Sequence, residues 1–142
     1  MRLTEQRARE LFGRARVARL ATVDDRTRPH LVPITFAVRG EQLAFAVDHK
    51  PKNTRNLKRL NNIRANPNVT LLIDEYAEDW STLWWARADG QASILTGEPE
   101  MTEPIDWLVA KYQQYQQHRP EGPVVLIEVA KWTGWAGDNS LS

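Results

Sequence analysis

Apolar residues in this chain recur at two spacings, and the points where one gives way to the other mark its elements. After Thr4 the apolar positions are Ala8, Leu11, Phe12 and Ala15, the series of one helix face, with Thr4 placed to cap the first turn and Gly13 loosening the end. Alternation with a period of two then takes over. Residues 17–23 (VARLATV) read as a strand, Asp24-Asp25 and the polar residues after them as a turn, and residues 29–38 (PHLVPITFAV) as a second strand with Val32, Ile34, Phe36 and Val38 on one face. Arg39-Gly40-Glu41 is a short hairpin connection into residues 42–48 (QLAFAVD), where Leu43, Phe45 and Val47 alternate with small residues. Three strands joined by tight turns predict an antiparallel meander.

Helical spacing returns near Thr54 and stops at Asn66-Pro67. Residues 67–76, 83–97 and 123–135 read as a fourth, fifth and sixth strand, and between the last two Thr102 caps a helix with the stripe Ile105, Leu108, Val109 and Tyr112. Pro33 cannot donate to a ladder, so it marks an edge, a bulge or a place where something other than a strand faces the backbone. Six strands with helices inserted after the third and the fifth predict a mainly β chain, folded as a closed or split six-stranded antiparallel β-barrel. No repeat or linker interrupts the 142 residues, a length that suits one domain spanning 1–142.

Charge narrows the function. Lysine and arginine number 19 against 18 acidic residues, a net charge of +1, so nothing draws the whole molecule to nucleic acid or to an anionic membrane, and any anion site is local. The absence of cysteine removes disulfides, thiolate metal sites and a cysteine nucleophile. His30, His49 and His118 lack metal-ligand spacing, so no metal site is expected. The opening residues are charged throughout and no run approaches the ~20 apolar residues of a membrane span, which leads us to expect a cytoplasmic protein.

The local charge is found in one block. From Lys50 to Asn66 there is no Asp or Glu. Lys50 and Lys52 precede the expected helix start, where free backbone N–H groups and the macrodipole already favour an anion, and Asn53 or Thr54 supplies the cap. On that helix Arg55, Lys58, Arg59 and Asn62 fall on one side and Leu57, Leu60 and Asn61 on the other. The residues alone fit both a solvated helix face and an anion site. A second block holds Trp80, Trp84 and Trp85; the last two point to opposite faces of a strand, so at most one enters the core. The other indole packs a subunit interface or covers a flat heteroaromatic ring. Arg87, on the same face as Trp85, could hold an anionic tail or pair with Asp74, Glu75 or Asp79. No triad or paired-carboxylate arrangement is visible, and no catalytic residue is assigned; His30 and Tyr76 are candidates for proton delivery.

The order RVARLATVDDRTRPHLVPITFAV, LAFAVDHKPKNTRNLKRLNNIRANPNVTLLIDEY and DWSTLWWARADGQA resembles the pyridoxamine 5′-phosphate oxidase-like split β-barrel superfamily, and within it the flavin/deazaflavin oxidoreductase B group, described as F420-dependent enzymes. The resemblance implies an FMN-binding split barrel, a homodimer with cofactor grooves between the subunits, and hydride transfer from reduced F420 to a small electron-poor substrate. It places the ring around Pro33, Ile34, Thr35 and Val47, the phosphate at His49, Lys50, Lys52, Asn53 and Thr54, the tail at Arg55 with Arg59 or Lys58, and Trp85 and Arg87 as the other subunit's contribution. The alternatives it leaves are an FMN-dependent oxidoreductase and a protein that binds flavin, F420 or haem without turnover. Residues of the true oxidases that hold pyridoxal phosphate have no match here, and neither metal, nucleic acid nor membrane is implied as a partner.

Overall fold

The computed structural model describes residues 1–47 and 54–140, and within the helix that opens at Thr54 the side chains from Lys58 onward. Its elements are α1 (Glu5–Arg14), β1 (Ala18–Val23), β2 (Pro29–Ile34), β3 (Ala37–Arg39), β4 (Gln42–Ala46), α2 (Thr54–Ala65), β5 (Asn68–Glu75), a 3-10 turn (Trp80–Thr82), β6 (Trp84–Leu95), α3 (Thr102–Lys111), α4 (Gln113–Gln117) and β7 (Val124–Ala136). The strands form one antiparallel sheet in the order β2-β1-β5-β6-β7-β4-β3.

This corrects the expected six-stranded barrel: among the described residues there are seven strands, and their ladder does not close. The stretch read as one strand over 29–38 is cut at Thr35-Phe36, so that β2 lies on one edge of the sheet and β3 on the other. A connector of two residues spans only about 10 Å. The sheet therefore has to curl until its edges approach each other at this point, which makes a split, unclosed barrel. Helix side chains take the hydrogen bonds that a ladder would otherwise claim. The Phe36 N–H donates to the Tyr112 hydroxyl (3.1 Å), the Phe36 carbonyl accepts from Lys111 Nζ (2.9 Å) and the Tyr112 hydroxyl (3.0 Å), and the Thr35 and Tyr115 hydroxyls lie 2.9 Å apart.

The helices divide between the two faces of the sheet. Thr4 caps α1 as expected, its hydroxyl accepting the Arg7 N–H at 3.1 Å, and the helix buries Ala8, Leu11 and Phe12 inside the curl. Phe12 meets Phe36 and Trp132 edge to face, at 5.9 and 5.5 Å between ring centroids. α2 adds Leu60 and Ile63 to the same core, which Leu20, Phe45, Leu71 and Ile127 fill from the strands. α3 lies on the other side of the sheet, over β3, β4 and the start of β7, packing Ile105 on Ala44 and Val124, and Leu108 and Tyr112 on Ala37. Met101, and not Thr102, stands at its N-cap, and the Thr102 hydroxyl is turned to Glu98. The outer face of β1, β5, β6 and the end of β7 has no described helix over it.

Two local features shape the open sheet face and the exposed side of α2. Opposite Gly90 the β6–β7 register shifts, and a Cβ at Gly90 would collide with the Glu128 carbonyl oxygen, so the close approach of the two backbones needs glycine. On α2 the sides expected from helical rotation change places at two positions: Asn62 is buried and Asn61 exposed. The described exposed ridge is therefore Lys58, Asn61 and Arg64.

Lys111 is held at the strand break against its own preference. Its ammonium lies 4.1 Å from the Phe36 ring centroid, and burial, then the Arg16 and Arg39 charges, lower its pKa from the ordinary 10.5 to about 8. The unfolded chain holds this proton more tightly than the folded one, so the penalty is full below about pH 8 and stability rises as pH climbs from there toward 10.5. Urea denaturation between about pH 7.5 and 10 is expected to show that rise. Lys111→Met keeps the contact with the Phe36 ring and should flatten the slope; an unaltered slope would remove Lys111 as its source.

Candidate functional site

β2 is an edge strand, so one side of its backbone has no ladder partner, and Pro33 sits on it exposed, where its missing N–H costs nothing. The residues expected around it are not equivalent. Ile34 and Val47 are core residues, 6% and 3% exposed, and offer a ligand main chain alone; the Val47 N–H is already given to the Pro123 carbonyl at 2.9 Å. The Thr35 hydroxyl is shared with Tyr115. Tyr115 escaped the sequence reading because the five-residue α4 around it (QQYQQ) shows no apolar stripe.

The antiparallel register sets Pro33, Arg19, Leu72, Arg87 and Thr133 in one row across the outer face. Arg87 stands three strands from Pro33, about 14 Å along the ladder at ~4.8 Å per strand. Within one protomer the two cannot grip the same small ring. Arg87 instead lines a cavity of about 520 Å³ with Trp85, Trp135, Lys131, Thr133 and Arg2. Its guanidinium carbon lies 5.7 Å from the Trp85 ring centroid and its Nε 3.2 Å from Asp89 Oδ2. None of the three expected acids is its partner: Asp74 lies 3.8 Å from Arg19, the Glu75 carboxylate accepts the Trp84 indole N–H at 3.0 Å, and Asp79 accepts the Ser81 N–H at 3.0 Å. As expected, Trp84 and Trp85 part company, Trp84 packing against the core and Trp85 turning outward. Thr133 Oγ1 is sealed from solvent with no hydrogen-bond partner. Beside this hollow, past the register shift, a second of about 570 Å³ is lined by Thr70, Asp89, Asn68, Gln91 and Glu128, so the open face runs from a cationic, aromatic end to an acidic, amide-bearing one.

His49, Lys50, Lys52 and Asn53 lie outside the described residues, as do the side chains of Thr54 and Arg55. The described backbone shows α2 opening at Thr54 with no acidic residue in its first turn, directly after the two lysines in the chain.

Inside the curl a polar group sits beneath α2. Asn62 Nδ2 donates to Thr22 Oγ1 at 3.1 Å, and His30 stands opposite Thr22 in the β1–β2 ladder. Arg59 lies one turn before Asn62, and burial lowers the pKa of its guanidinium. Of the two residues considered for proton delivery, His30 is part of this enclosed group, while Tyr76 is 66% exposed beyond β5 and turns its hydroxyl to Glu78 at 3.3 Å. Among the described residues no hydroxyl is hydrogen-bonded to a histidine. The arrangement suits holding a ligand better than covalent attack.

Comparison with known proteins agrees with this geometry. A family model described as pyridoxamine 5′-phosphate oxidase matches residues 4–136. A search of curated proteins finds no match. Among solved structures, an FAD-binding protein from Mesorhizobium loti aligns with TM-score 0.73 and 20% identity over 94% of this chain and 93% of its own. The FAD binding protein from Mycobacterium smegmatis gives 0.65 and 18% over 95% and 98%. A heme binding protein from the same organism gives 0.75 and 15% over 95% of this chain but 55% of that one. At these identities the likeness to solved structures establishes the fold.

The unpaired Thr133 hydroxyl allows a direct check. Thr133→Val keeps the shape and removes a group that makes no bond, so thermal stability should hold or rise, by up to about 1 kcal/mol. A fall of that size in calorimetry would show that Oγ1 is paired in solution.

Proposed function

The chain belongs to the pyridoxamine 5′-phosphate oxidase family, and on that premise we propose that it is an F420H2-dependent oxidoreductase, a homodimer with its cofactor in a crevice shared by the subunits. The reading is carried by one observation: a basic run free of acids from Lys50 to Asn66 puts two lysines just ahead of a twelve-residue helix that has no acid in its first turn. Such a start favours a phosphate group. The exposed ridge of Lys58 and Arg64 beyond it suits a longer polyanion, and the tail of F420, with its phosphate, lactyl and oligoglutamate units, is longer than the single phosphate of FMN.

In this reading the bound deazaflavin supplies a hydride from C5 to the substrate, and the protein contributes position, electrostatics and exclusion of water. The free edge of β2 at Pro33, with Ile34, Thr35 and Val47 behind it, seats the ring. His49, Lys50, Lys52, Asn53 and Thr54 hold the phosphate, Arg55 and Lys58 the tail. Trp85 and Arg87 come from the second subunit, which the ladder spacing between Pro33 and Arg87 supports. The open outer face also supports a second copy there: Leu31, Leu72 and Trp135 are exposed on it, and its cationic end lies beside its acidic end, so a two-fold rotation would set opposite charges together. Arg59, half-buried one turn before Asn62, stands with Lys58 as the alternative for the tail. No described helix is long and apolar enough to cross a membrane, and the proposal sets the enzyme in the cytoplasm.

A second reading, binding of flavin, F420 or haem without turnover, is favoured by the solved proteins of the same fold described as FAD-binding and heme binding. Parallel titrations of F420, FMN, FAD and haem separate the two, followed by a substrate panel monitored by loss of F420H2 absorbance. We expect F420 to bind most tightly and at least one electron-poor substrate to consume F420H2. Preference for FMN would move the reaction to that cofactor, and tight binding without turnover across the panel would establish the second reading. Lys50→Ala and Lys52→Ala should each weaken F420 by about tenfold or more, from ~1.5–3 kcal/mol per charge-assisted contact. Arg119→Ala, at an exposed arginine paired with Asp106, should change little. Equal affinities in all three would reduce the basic run to a solvated face.

A further inference from the structure

Lys111 ends α3 in a niche made by three other parts of the chain. Its Nζ donates to the Phe36 carbonyl at 2.9 Å and lies 4.1 Å from the Phe36 ring centroid and 5.2 Å from that of Tyr112. The Arg16 guanidinium carbon lies 4.7 Å from the same Tyr112 centroid, and Arg16 Nη2 donates to the Lys111 carbonyl at 3.0 Å. Arg39, at the end of β3, is tied through Nη1 to the Val38 carbonyl at 2.9 Å. Both arginines are exposed and Lys111 is half-buried, so its amine is partly desolvated without being sealed off.

An amine attacks through its lone pair, so a lysine becomes a nucleophile where its surroundings favour the neutral form. Burial against the two rings does this first, and the positive charges of Arg16 and Arg39 add to it. Tyr112 brings no opposing charge, since burial raises its pKa and keeps it protonated. The Phe36 carbonyl needs one N–H, which the neutral amine retains with its lone pair free. With a pKa of about 8, roughly one-quarter of Lys111 is neutral at pH 7.5, against about one part in a thousand for an ordinary lysine at 10.5. The two guanidiniums also favour an anionic reagent, and a phosphate group suits their planar forks. An acyl phosphate joins that group to an electrophilic carbonyl.

We propose that Lys111 is an acylation site of this chain, with an acyl phosphate as the donor. The Nζ lone pair attacks the acyl carbon and forms the C–N bond. The C–O bond to phosphate breaks, its electron pair leaves with the phosphate, and the departing phosphate takes the amine proton. The product is a neutral amide whose remaining N–H is placed to donate to the Phe36 carbonyl, so the clamp on the strand break is kept while its desolvated charge is removed. The site does not depend on the F420 reading, because neither a cofactor nor residues 48–53 take part.

The test treats the full chain with millimolar acetyl phosphate at about pH 7.5 and follows each lysine by peptide mass spectrometry. Lys111 is expected to acetylate about tenfold or more faster than the exposed Lys58 and Lys131. Arg16→Gln leaves in place the main-chain carbonyl that accepts from the Tyr112 hydroxyl, and both it and Arg39→Gln should slow Lys111 several-fold. Arg26→Gln, on the exposed β1–β2 turn, should not. Protein acetylated at Lys111 should need more urea to unfold and lose the rise in stability between about pH 7.5 and 10. A rate at Lys111 no higher than at Lys58 and Lys131 would overturn the proposal. So would an undiminished rate in both Arg16→Gln and Arg39→Gln, or a stability rise that survives acetylation of Lys111.

Discussion

The fold depends on two residues. Thr35 and Phe36 join strands on opposite edges of the same sheet, and a connector that short leaves the sheet no choice but to curl. A break of this kind strips the backbone of ladder partners, which would be costly if they went unreplaced. Tyr112, Lys111 and Tyr115 replace them, all from the end of α3 and from α4, some 75 residues away in the chain. Burial raises the pKa of Tyr112, which keeps its hydroxyl a donor. Curl and clamp are thus one device, and the position of every other element depends on it.

One consequence is an asymmetry of faces. Because α3 and α4 must reach the break, they cover β3, β4 and the start of β7, and the opposite outer face has no described helix to cover it. The interior is taken by α1 and α2, whose apolar sides fill the curl. What remains open is the surface that carries Trp85, Arg87, Lys131 and Trp135 at one end and Asp89 and Glu128 at the other. The free edge of β2 opens onto the same side. In the proposed reading, ligand and partner therefore meet on adjoining surfaces left open by the same constraint that shapes the sheet.

Much of this was legible in the sequence wherever the signal is local. The α1 cap at Thr4, the alternation in β1 and β4, the edge role implied by Pro33 and the parting of Trp84 from Trp85 all come from residue type and period. The strand break was not legible, since PHLVPITFAV alternates without interruption and the groups that break it arrive from another part of the chain. Partners of charge were no easier to foresee: Arg87 found Asp89, two residues away on its own strand, and not the acids across the turn. The α2 sides went astray at Asn61 and Asn62 because adjacent identical residues give helical rotation nothing to distinguish, and the buried hydroxyl of Thr22 decides between them. The basic run is legible as composition, and residues 48–53, where it begins, lie outside the described structure.

Two inward cations, Lys111 and Arg59, look alike in sequence and differ in physics. Lys111 is desolvated beside two arginines, yet its ammonium has an acceptor in the Phe36 carbonyl and lies 4.1 and 5.2 Å from the Phe36 and Tyr112 ring centroids. It can also release its proton when the strain grows, as its lowered pKa shows. Its cost is contained within the fold, and the benefit is the clamp on the strand break. Arg59 differs: among the described residues its Nε has no acceptor, and its charge is permanent. The same local accounting of donors, acceptors and charge that explains why the barrel splits therefore separates a cation whose donor the fold has satisfied from one whose Nε it leaves unpaired among the described residues.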